Sequence, residues 1–465
     1  MNYIKNRKNI LEYHNFQSVS DSLDALEFAF RSCSPDNLVM SSISMNTELS
    51  ILDIDGNVIT FPTLKQNSVL VISVGKASER MLHGLYQKLG SQIGRSLLIF
   101  PEGYSLPIGA TKQYNTTIIQ SSHPIPNQNS KEASKLAIRF LRDLESYDLV
   151  IFLISGGTSS LIVSPVPGLT LSDKKEINKL LVSSGADIRE INVVRKHLSQ
   201  IKGGNILRFL KPKKRVLTLI LSDVVGDYLD TIGSGMTFYD KSTFNDALSV
   251  MKKYGLDKLE NSNVQKVLRY LNQAINNKLL ETVKQSEFET FDVTNCVIGN
   301  NAKFCEFIAE HLTSRGYNVV YKGSGREGSV EDFSIYFRKL FYSLPNKTAI
   351  VMGGEVTNFI DKSNMGKGGR NQEAICRILQ SMGDFKSDDY AIICIGTDGI
   401  DGNSDSAGGI ISPNSISYVN KKSLDIHSFL TANNSNVLLK NLNSIIHTGY
   451  TGSNFNDIYL IVKLS

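Results

Sequence analysis

The chain has 465 residues, 41% of them hydrophobic and 20% charged, and its 50 Lys and Arg against 45 Asp and Glu leave a net charge of +5. This composition supports a buried core and excludes wholesale disorder, and the length predicts about two or three domains. The net positive charge is small for this length, and the sequence has no block of five basic residues. Nucleic acid is therefore a poor candidate partner, whereas small anionic substrates fit this charge.

Cysteine usage and hydropathy predict the compartment. The five cysteines are scattered and never spaced C-x-x-C, which argues against disulfides and structural zinc and favours a reducing compartment. The longest apolar stretches, such as 149–154, are too short to cross a bilayer, and residues 1–16 lack the apolar segment of a secretory signal. We expect a soluble cytoplasmic protein without membrane partners; a transit peptide and a homo-oligomer stay open.

One pattern recurs along the chain: a short apolar run ends abruptly in a loop of Gly, Ser, Asp or Asn. Because these runs are apolar throughout, they predict strands buried on both faces, as in a parallel sheet covered by helices. Helical patterns follow most of the loops, which predicts an α/β fold. Such loops share one edge of a parallel sheet, where ligands bind. The runs are 69–74, 149–154, 216–221, 293–298, 348–352 and 391–395.

The arrangement of these runs predicts two α/β domains with largely parallel sheets flanked by helices. The N-terminal domain spans 1–285 and ends in a polar helical connection over 241–287, which lacks such loops. The C-terminal domain spans 286–465.

Two basic residues stand where helices are predicted to begin: Lys76 after the first run, and Arg370 after the glycines of GKGGRNQE. A helix N-terminus carries about half a positive charge, so a cation there is disfavoured by about 0.3–1 kcal/mol. Helix starts and glycine-rich backbone bind phosphate, so this placement predicts that an anion occupies both positions. The alternative is that both are solvated surface residues.

The loop SGGTSS, residues 155–160, predicts phosphate or carboxylate binding. Gly156 and Gly157 allow close backbone approach, and Ser155, Thr158 and Ser159 supply hydroxyl groups where a strand meets a helix. The alternative is a tight turn with a helix cap.

Carboxylates follow several of the predicted strands, including Asp223, Glu355 and Asp398. Hard oxygen ligands in small number, with space for substrate phosphates, suit Mg²⁺. Each of them is also a common turn residue. The set predicts that at least one binds a metal ion or a hydroxyl group.

Other signatures are absent or ambiguous. The P-loop, the protein-kinase motifs and the G-x-S-x-G elbow do not occur. GSGREG, residues 323–328, matches the dinucleotide-binding pattern but lacks its acidic residue some 20 positions on. His123 and His197 are either cleft residues or structural histidines.

The motifs resemble, in order and from about residue 20 to 463, those of the glycerate 2-kinases whose C-terminal part is called the MOFRL domain. They are VISVGKAS, SSHPIPN, LISGGTSSLIVSPVPGLTL, SSGADIREINVVRKHLSQIKGGNI, LSDVVGDYLDTIGSG, GNNAKF, GGEVT, GKGGRNQE, GTDGIDGNSDSAGG and TGSNFNDIYLIV. The resemblance implies transfer of phosphate from ATP to the 2-hydroxyl of glycerate, giving 2-phosphoglycerate and ADP. It also implies an active site in the cleft between two α/β domains, with a MOFRL-like region over about 347–463.

Site roles follow from this resemblance together with the loops described above. The residues expected to act in catalysis are Lys76, Arg370 and Asp223. Those expected to bind ATP or phosphate are Gly75, Ser155, Gly156, Gly157, Thr158, Ser159, Asn300 and Asn301. Those expected to bind glycerate are His123, Asn192, Arg195 and Lys202, and the candidate Mg²⁺ ligands are Asp223, Glu355 and Asp398.

The chain departs from the family pattern at Met236, where proline is common, and at Tyr450 and Ser453 in GYTGSN. These changes leave the substrate less certain than the reaction class. Two alternatives stay open: an NAD(P)H-dependent hydroxypyruvate reductase, supported locally by GSGREG, and a non-catalytic protein that binds a sugar acid.

Overall fold

A computed structural model describes residues 2–103, 115–143, 147–211, 214–276, 281–359, 366–382 and 388–465. The chain divides into two compact units, one of residues 38–298 and one of residues 1–37 with 299–465. This division differs from the expected boundary at 285/286 for two reasons. The strand at 292–299 joins the sheet of the first unit, and the N-terminal helix at 17–32 packs in the second unit.

The helices are mostly amphipathic or buried on one side. In chain order they are α1 (Arg7–Tyr13), α2 (Gln17–Ser32), α3 (Pro35–Ser42), α4 (Ser78–Leu89), α5 (Gln128–Arg142), α6 (Thr158–Leu161), α7 (Leu171–Ser183), α8 (Ile188–His197), α9 (Phe244–Lys253), α10 (Ser262–Asn276), α11 (Gln285–Phe288), α12 (Asn301–Ser314), α13 (Val330–Ser343), α14 (Arg370–Met382), α15 (Pro413–Lys422), α16 (Ile426–Thr431) and α17 (Ser435–Asn441).

The strands include all of the apolar runs that the sequence singled out. In chain order they are β1 (Ile43–Met45), β2 (Leu49–Leu52), β3 (Val58–Phe61), β4 (Val69–Val74), β5 (Ile93–Pro101), β6 (Thr116–Ser121), β7 (Leu149–Ile154), β8 (Arg215–Leu221), β9 (Asp292–Gly299), β10 (Asn318–Tyr321), β11 (Thr348–Gly354), β12 (Tyr390–Gly396), β13 (Gly408–Ile411), β14 (Ile445–Ile446) and β15 (Asp457–Lys463).

The sheet of the first unit has the order β6-β5-β4-β7-β8-β9. Strands β6, β5, β4, β7 and β8 are parallel, and every residue of β4 and β7 is buried, as their uniform apolar sequences predict. The predicted α/β fold is confirmed here. The loops after β4, β7 and β8 therefore leave the sheet at one edge.

The sheet of the second unit is mixed, with the order β10-β11-β15-β12-β13-β14. Only β10 and β11 form a parallel pair; β15 runs antiparallel between β11 and β12, and β13 and β14 add two further antiparallel pairings. The expectation of a largely parallel sheet does not describe this unit. The last strand of the chain enters the middle of the sheet, and its apolar sequence predicts burial without fixing its direction.

The polar segment 241–287 is helical, as expected, but it is part of a helical layer and not a connection between domains. Its helices α9 and α10 pack their apolar faces against α7 and α8. The spacing of Val264, Val267 and Leu271 gives α10 the buried stripe that this packing requires.

The cysteines and the helix lengths agree with the hydropathy pattern. All five cysteines are free and buried, and burial raises the pKa of each thiol, so these groups are protonated at neutral pH. Within the ranges described above, no helix has the length and hydrophobicity that a membrane span requires.

A buried histidine in the second unit predicts acid sensitivity. His14 is fully buried, with Nδ1 2.7 Å from Ser412 Oγ, and burial lowers its pKa to about 4. In the unfolded chain the His14 imidazole takes up a proton near pH 6.5, whereas in the folded chain it does so only near pH 4. The folded state therefore loses stability relative to the unfolded state as the pH falls from 6.5 towards 4. The loss is about 3 kcal/mol.

We therefore expect the thermal midpoint to fall between pH 6.5 and 4, and to fall less in His14→Gln. His427, an exposed histidine, provides the matched control His427→Gln. Equal pH dependence in wild type and His14→Gln would contradict this assignment.

Candidate functional site

Two loops of the first unit are joined by hydrogen bonds at the edge of the parallel sheet. The Lys76 N–H donates to the Gly156 carbonyl over 2.9 Å, and the Ala77 N–H donates to Ser155 Oγ over 3.1 Å. Gly75 packs so closely on Ser155 that a Cβ there would collide with the serine side chain. The loop after β4 and the loop after β7 thus form one structural element.

Three predicted site residues surround the glycine pair of this element. A Cβ on Gly156 would collide with the Asp223 carboxylate, and a Cβ on Gly157 would lie 2.9 Å from His123 Cδ2 and 3.4 Å from Lys76 Cγ. Gly157 also has a φ of +87°, which favours glycine. The structure thus brings Lys76, His123 and Asp223 together at SGGTSS.

The hydroxyl groups of Ser155 and Thr158 serve the fold. Ser155 Oγ accepts from Ala77, and Thr158 Oγ1 donates to the carbonyls of Val74 and Ser155 over 2.9 and 2.7 Å. Both side chains are buried. The expectation that these hydroxyls contact a ligand is therefore not supported by their contacts.

The backbone of SGGTSS offers the donors instead. Among the residues that the structure describes, the N–H groups of Gly156, Gly157 and Ser159 have no protein acceptor. Converging backbone N–H groups bind phosphate and carboxylate oxygens.

Lys76 is a half-buried cation that forms no ion pair with the described residues. Across the described residues, no carboxylate lies within 4.0 Å of its ammonium. Burial and the charge of Lys76 lower the pKa of His123 to about 4, so His123 is neutral at pH 7. The site places the Lys76 side chain at a loop whose N–H groups have no acceptor among the described residues, an arrangement that suits an anionic ligand.

Ser159 connects this site to Lys202. Lys202, only 3% exposed, donates to the Ser159 carbonyl over 2.7 Å and also contacts Ser159 Oγ. Ser234 Oγ lies 2.8 Å from Ser159 Oγ and 3.3 Å from Asn192 Oδ1. Arg195 donates to Asn178 Oδ1 over 2.7 Å and reaches Asn192 Oδ1 over 3.5 Å.

Ser234 is a site residue that the sequence reasoning missed. It lies between two glycines in a loop where Gly233, Ser234 and Gly235 have φ values of 57°, 59° and 63°. The G-S-G sequence, following a strand and an acidic loop, was the available signal. Met236, next in the chain, is buried in the apolar core, so this departure from the family pattern is a packing change.

In the second unit, Arg370 is paired with carboxylates of the chain itself. Its Nε lies 2.6 Å from Asp457 Oδ2, and its Nη1 lies 2.8 Å from Glu355 Oε1. Asp401 caps the start of α14 by accepting from the N–H groups of Asn371 and Gln372 over 3.1 and 2.9 Å. The anions beside Arg370 in this structure are therefore carboxylates of the chain itself, whereas a ligand was expected there.

Three further candidates of the second unit hold its backbone in place. Asp398 Oδ1 accepts from Ile400 N over 3.1 Å, and Asn300 caps α12. Asn301 donates from Nδ2 to the carbonyls of Phe455 and Asp457 over 2.6 and 3.0 Å. These contacts give each residue a structural role.

Metal binding has one well-placed candidate. In the part of the chain that the structure describes, no group of three or more His, Cys, Asp or Glu is arranged to hold a metal ion. Mg²⁺ in phosphoryl-transfer sites commonly uses one or two carboxylates, substrate phosphates and water. Asp223 fits that role because it lies against Gly156. Glu355 is engaged by Arg370.

The contact at Gly156 leads to a prediction. Gly156→Ala places a methyl group where the Asp223 carboxylate lies, so the carboxylate must move. We expect turnover to fall by about tenfold or more while the thermal midpoint changes by only a few degrees. Kinetics and calorimetry of this variant provide the check, and unchanged turnover would show that the position of Asp223 does not matter.

The segment GSGREG is bonded to the end of β11. The Arg326 N–H donates to the Gly353 carbonyl over 3.1 Å, and the Arg326 carbonyl accepts from Glu355 N over 2.7 Å. Helix α13 begins only at Val330, capped by Ser329. These hydrogen bonds engage backbone groups that a dinucleotide loop would present to pyrophosphate.

Comparisons with known proteins agree with the order of motifs. Residues 21–269 match the model of a domain of unknown function, DUF4147, and residues 348–457 match the MOFRL family. A D-glycerate 2-kinase of Thermotoga maritima is 35% identical over 410 residues, which cover 86% of this chain and 92% of that protein. A glycerate 2-kinase of Pyrococcus horikoshii is 32% identical over 86% of this chain and 88% of its own length. The crystal structure of glycerate kinase from Thermotoga maritima matches with a TM-score of 0.81 and 29% identity, covering 96% of this chain and 99% of that one.

Proposed function

Because the chain belongs to the family of glycerate 2-kinases, we propose that it transfers the γ-phosphoryl group of ATP to the 2-hydroxyl of glycerate, giving 2-phosphoglycerate and ADP. The observation that carries this proposal is the side chain of Lys76, whose Cγ lies against Gly157 and whose ammonium has no carboxylate partner among the described residues. The choice of glycerate as the substrate rests on the similar proteins described above.

Phosphoryl transfer needs charge neutralisation and in-line positioning more than covalent catalysis. A cation about 4 Å from the transferring group contributes on the order of 4 kcal/mol at an effective dielectric constant near 20. In our proposal Lys76 supplies this charge, and the backbone of SGGTSS binds phosphate oxygens. Neutral His123 hydrogen-bonds to a ligand oxygen beside Lys76.

Asp223 is the residue that would hold Mg²⁺, which supplies further neutralisation of phosphate charge when bound. Asp223 also serves to orient the attacking hydroxyl group in this proposal. Both roles depend on its place against Gly156.

Arg370 is proposed to act in the same reaction through its partly exposed side. Asp457 fixes Nε, while Nη1 contacts Glu355, whose side chain is 41% exposed. We propose that the glycerate carboxylate replaces Glu355 at Nη1. Bidentate pairing with Asp457 would hold the guanidinium in position for this exchange.

The test is ADP release across a panel of 2-hydroxy acids, with the phosphorylated position read by phosphorus NMR. We expect release that depends on glycerate and a product phosphorylated at the 2-position. Oxidation of NADH by hydroxypyruvate without ATP would favour the reductase alternative. Tight glycerate binding without ADP release would favour a sugar-acid-binding protein.

A further inference from the structure

Lys202 is a buried amine whose contacts are all with neutral oxygens. It is only 3% exposed, and it contacts Ser159 Oγ, the Ser159 carbonyl and Ser234 Oγ, the last over 3.4 Å. The nearby carboxylates Asp230 and Asp240 are paired with Lys196 over 3.6 and 3.2 Å.

Other cations face Lys202 from two helices. Lys174 on α7 and Arg195 on α8, together with burial, lower the pKa of Lys202 well below its ordinary value. Neither cation has a carboxylate within 4.0 Å among the described residues. Burial and these two charges both favour loss of a proton from Lys202, and a deprotonated amine is a proton acceptor.

Lys202 Nζ lies in direct contact with the Ser159 hydroxyl. Nζ donates to the Ser159 carbonyl over 2.7 Å, to Ser159 Oγ, and to Ser234 Oγ over 3.4 Å. Ser234 Oγ in turn donates to Asn192 Oδ1. Ser159 is partly exposed, so a small molecule can reach its hydroxyl.

We propose that Ser159 is a nucleophile activated by Lys202, with Ser234 orienting the pair, and that it attacks small activated carboxylic esters. The Ser159 proton passes to Lys202 Nζ as Oγ bonds to the carbonyl carbon, the ester C–O bond breaks, and the leaving alcohol takes up the proton. Water then attacks the acyl-serine, Lys202 assists in the same way, and the acid is released. This activity is independent of phosphoryl transfer.

The experiment treats the full-length protein with p-nitrophenyl acetate and, separately, with diisopropyl fluorophosphate. In the second case the serine oxygen bonds to phosphorus and fluoride leaves. We expect nitrophenol release and a single adduct at Ser159 by peptide mass spectrometry. Both are lost in Ser159→Ala and lowered by about 100-fold in Lys202→Met, as expected when a nucleophile loses its base.

Ser160→Ala is the matched control, because Ser160 Oγ donates only to the Gly157 carbonyl; it should label at the wild-type rate. The labelling rate of the wild type should rise with pH through an inflection below that of an ordinary lysine. Lys174→Gln should move the inflection to higher pH, a shift that a purely structural Lys202 would not produce. If Lys202→Met fails to fold, the pH profiles of the wild type and of Lys174→Gln test the proposal. Absence of an adduct, an adduct elsewhere, or an inflection unmoved by Lys174→Gln would overturn the proposal.

Discussion

Lys76→Met is expected to lower turnover by about 10³-fold or more while the protein stays folded. The substitution removes the charge and keeps the aliphatic stem that packs near Gly157. Because the ammonium has no ion pair among the described residues, its loss breaks no salt bridge there. The effect should therefore fall on the reaction and not on stability.

The matched control is Lys88→Met, which removes an exposed lysine from α4, the helix that follows Lys76. It should retain wild-type turnover. Steady-state kinetics with glycerate and ATP, beside calorimetry of both variants, provide the measurement. More than a tenth of wild-type turnover in Lys76→Met, with an unchanged thermal midpoint, would refute the role of Lys76.

Arg370→Gln is expected to lower stability as well as activity, in contrast to Lys76→Met. Asp457 is 1% exposed and accepts from Arg370, from Asn371 Nδ2 over 2.9 Å and from the Tyr459 hydroxyl over 3.2 Å. Burial raises the pKa of Asp457 to about 6, and the guanidinium opposes that rise, so the carboxylate is ionised at neutral pH. Without Arg370 a buried charge loses its cation, at a cost of about 3–5 kcal/mol.

The double variant Arg370→Gln/Asp457→Asn separates the two roles of Arg370. Removing both charges should recover most of the stability, measured by urea unfolding at pH 7.5. Turnover should stay about 100-fold or more below wild type, because the cation proposed for the substrate is still missing. If turnover returned together with stability, Arg370 would have a structural role alone.

The site at SGGTSS was largely predictable because its loops follow buried strands that are neighbours in one parallel sheet. Uniform apolar runs predicted β4, β7 and β8, and the shared edge of a parallel sheet predicted that Lys76 and Asp223 would approach SGGTSS. The roles of its hydroxyl groups were not predictable. Whether Thr158 faces a ligand or the Val74 carbonyl depends on a side-chain rotamer that the sequence does not determine.

The partners of Arg370 could not be predicted from the sequence, for a different reason. The sequence predicted an anionic ligand at this helix start, and the structure places two carboxylates of the chain itself, Asp457 and Glu355, beside Arg370. Asp457 lies 87 residues later in the chain, on the strand that enters the second sheet in the antiparallel direction. That placement depends on the pairing of strands that are distant in the chain, and local sequence patterns do not predict such pairing.

Chemical rescue tests whether the positive charge at position 76 stabilises the transferring phosphoryl group. Lys76→Cys should be inactive, and alkylation with bromoethylamine should restore an ammonium at nearly the same reach; the five native cysteines are buried and should not react. We expect alkylation with bromoethylamine to recover about a tenth or more of wild-type turnover, and iodoacetamide, which adds a neutral group, to recover none. Equal turnover after the two reagents, or full activity of Lys76→Cys before either, would contradict this role of the charge.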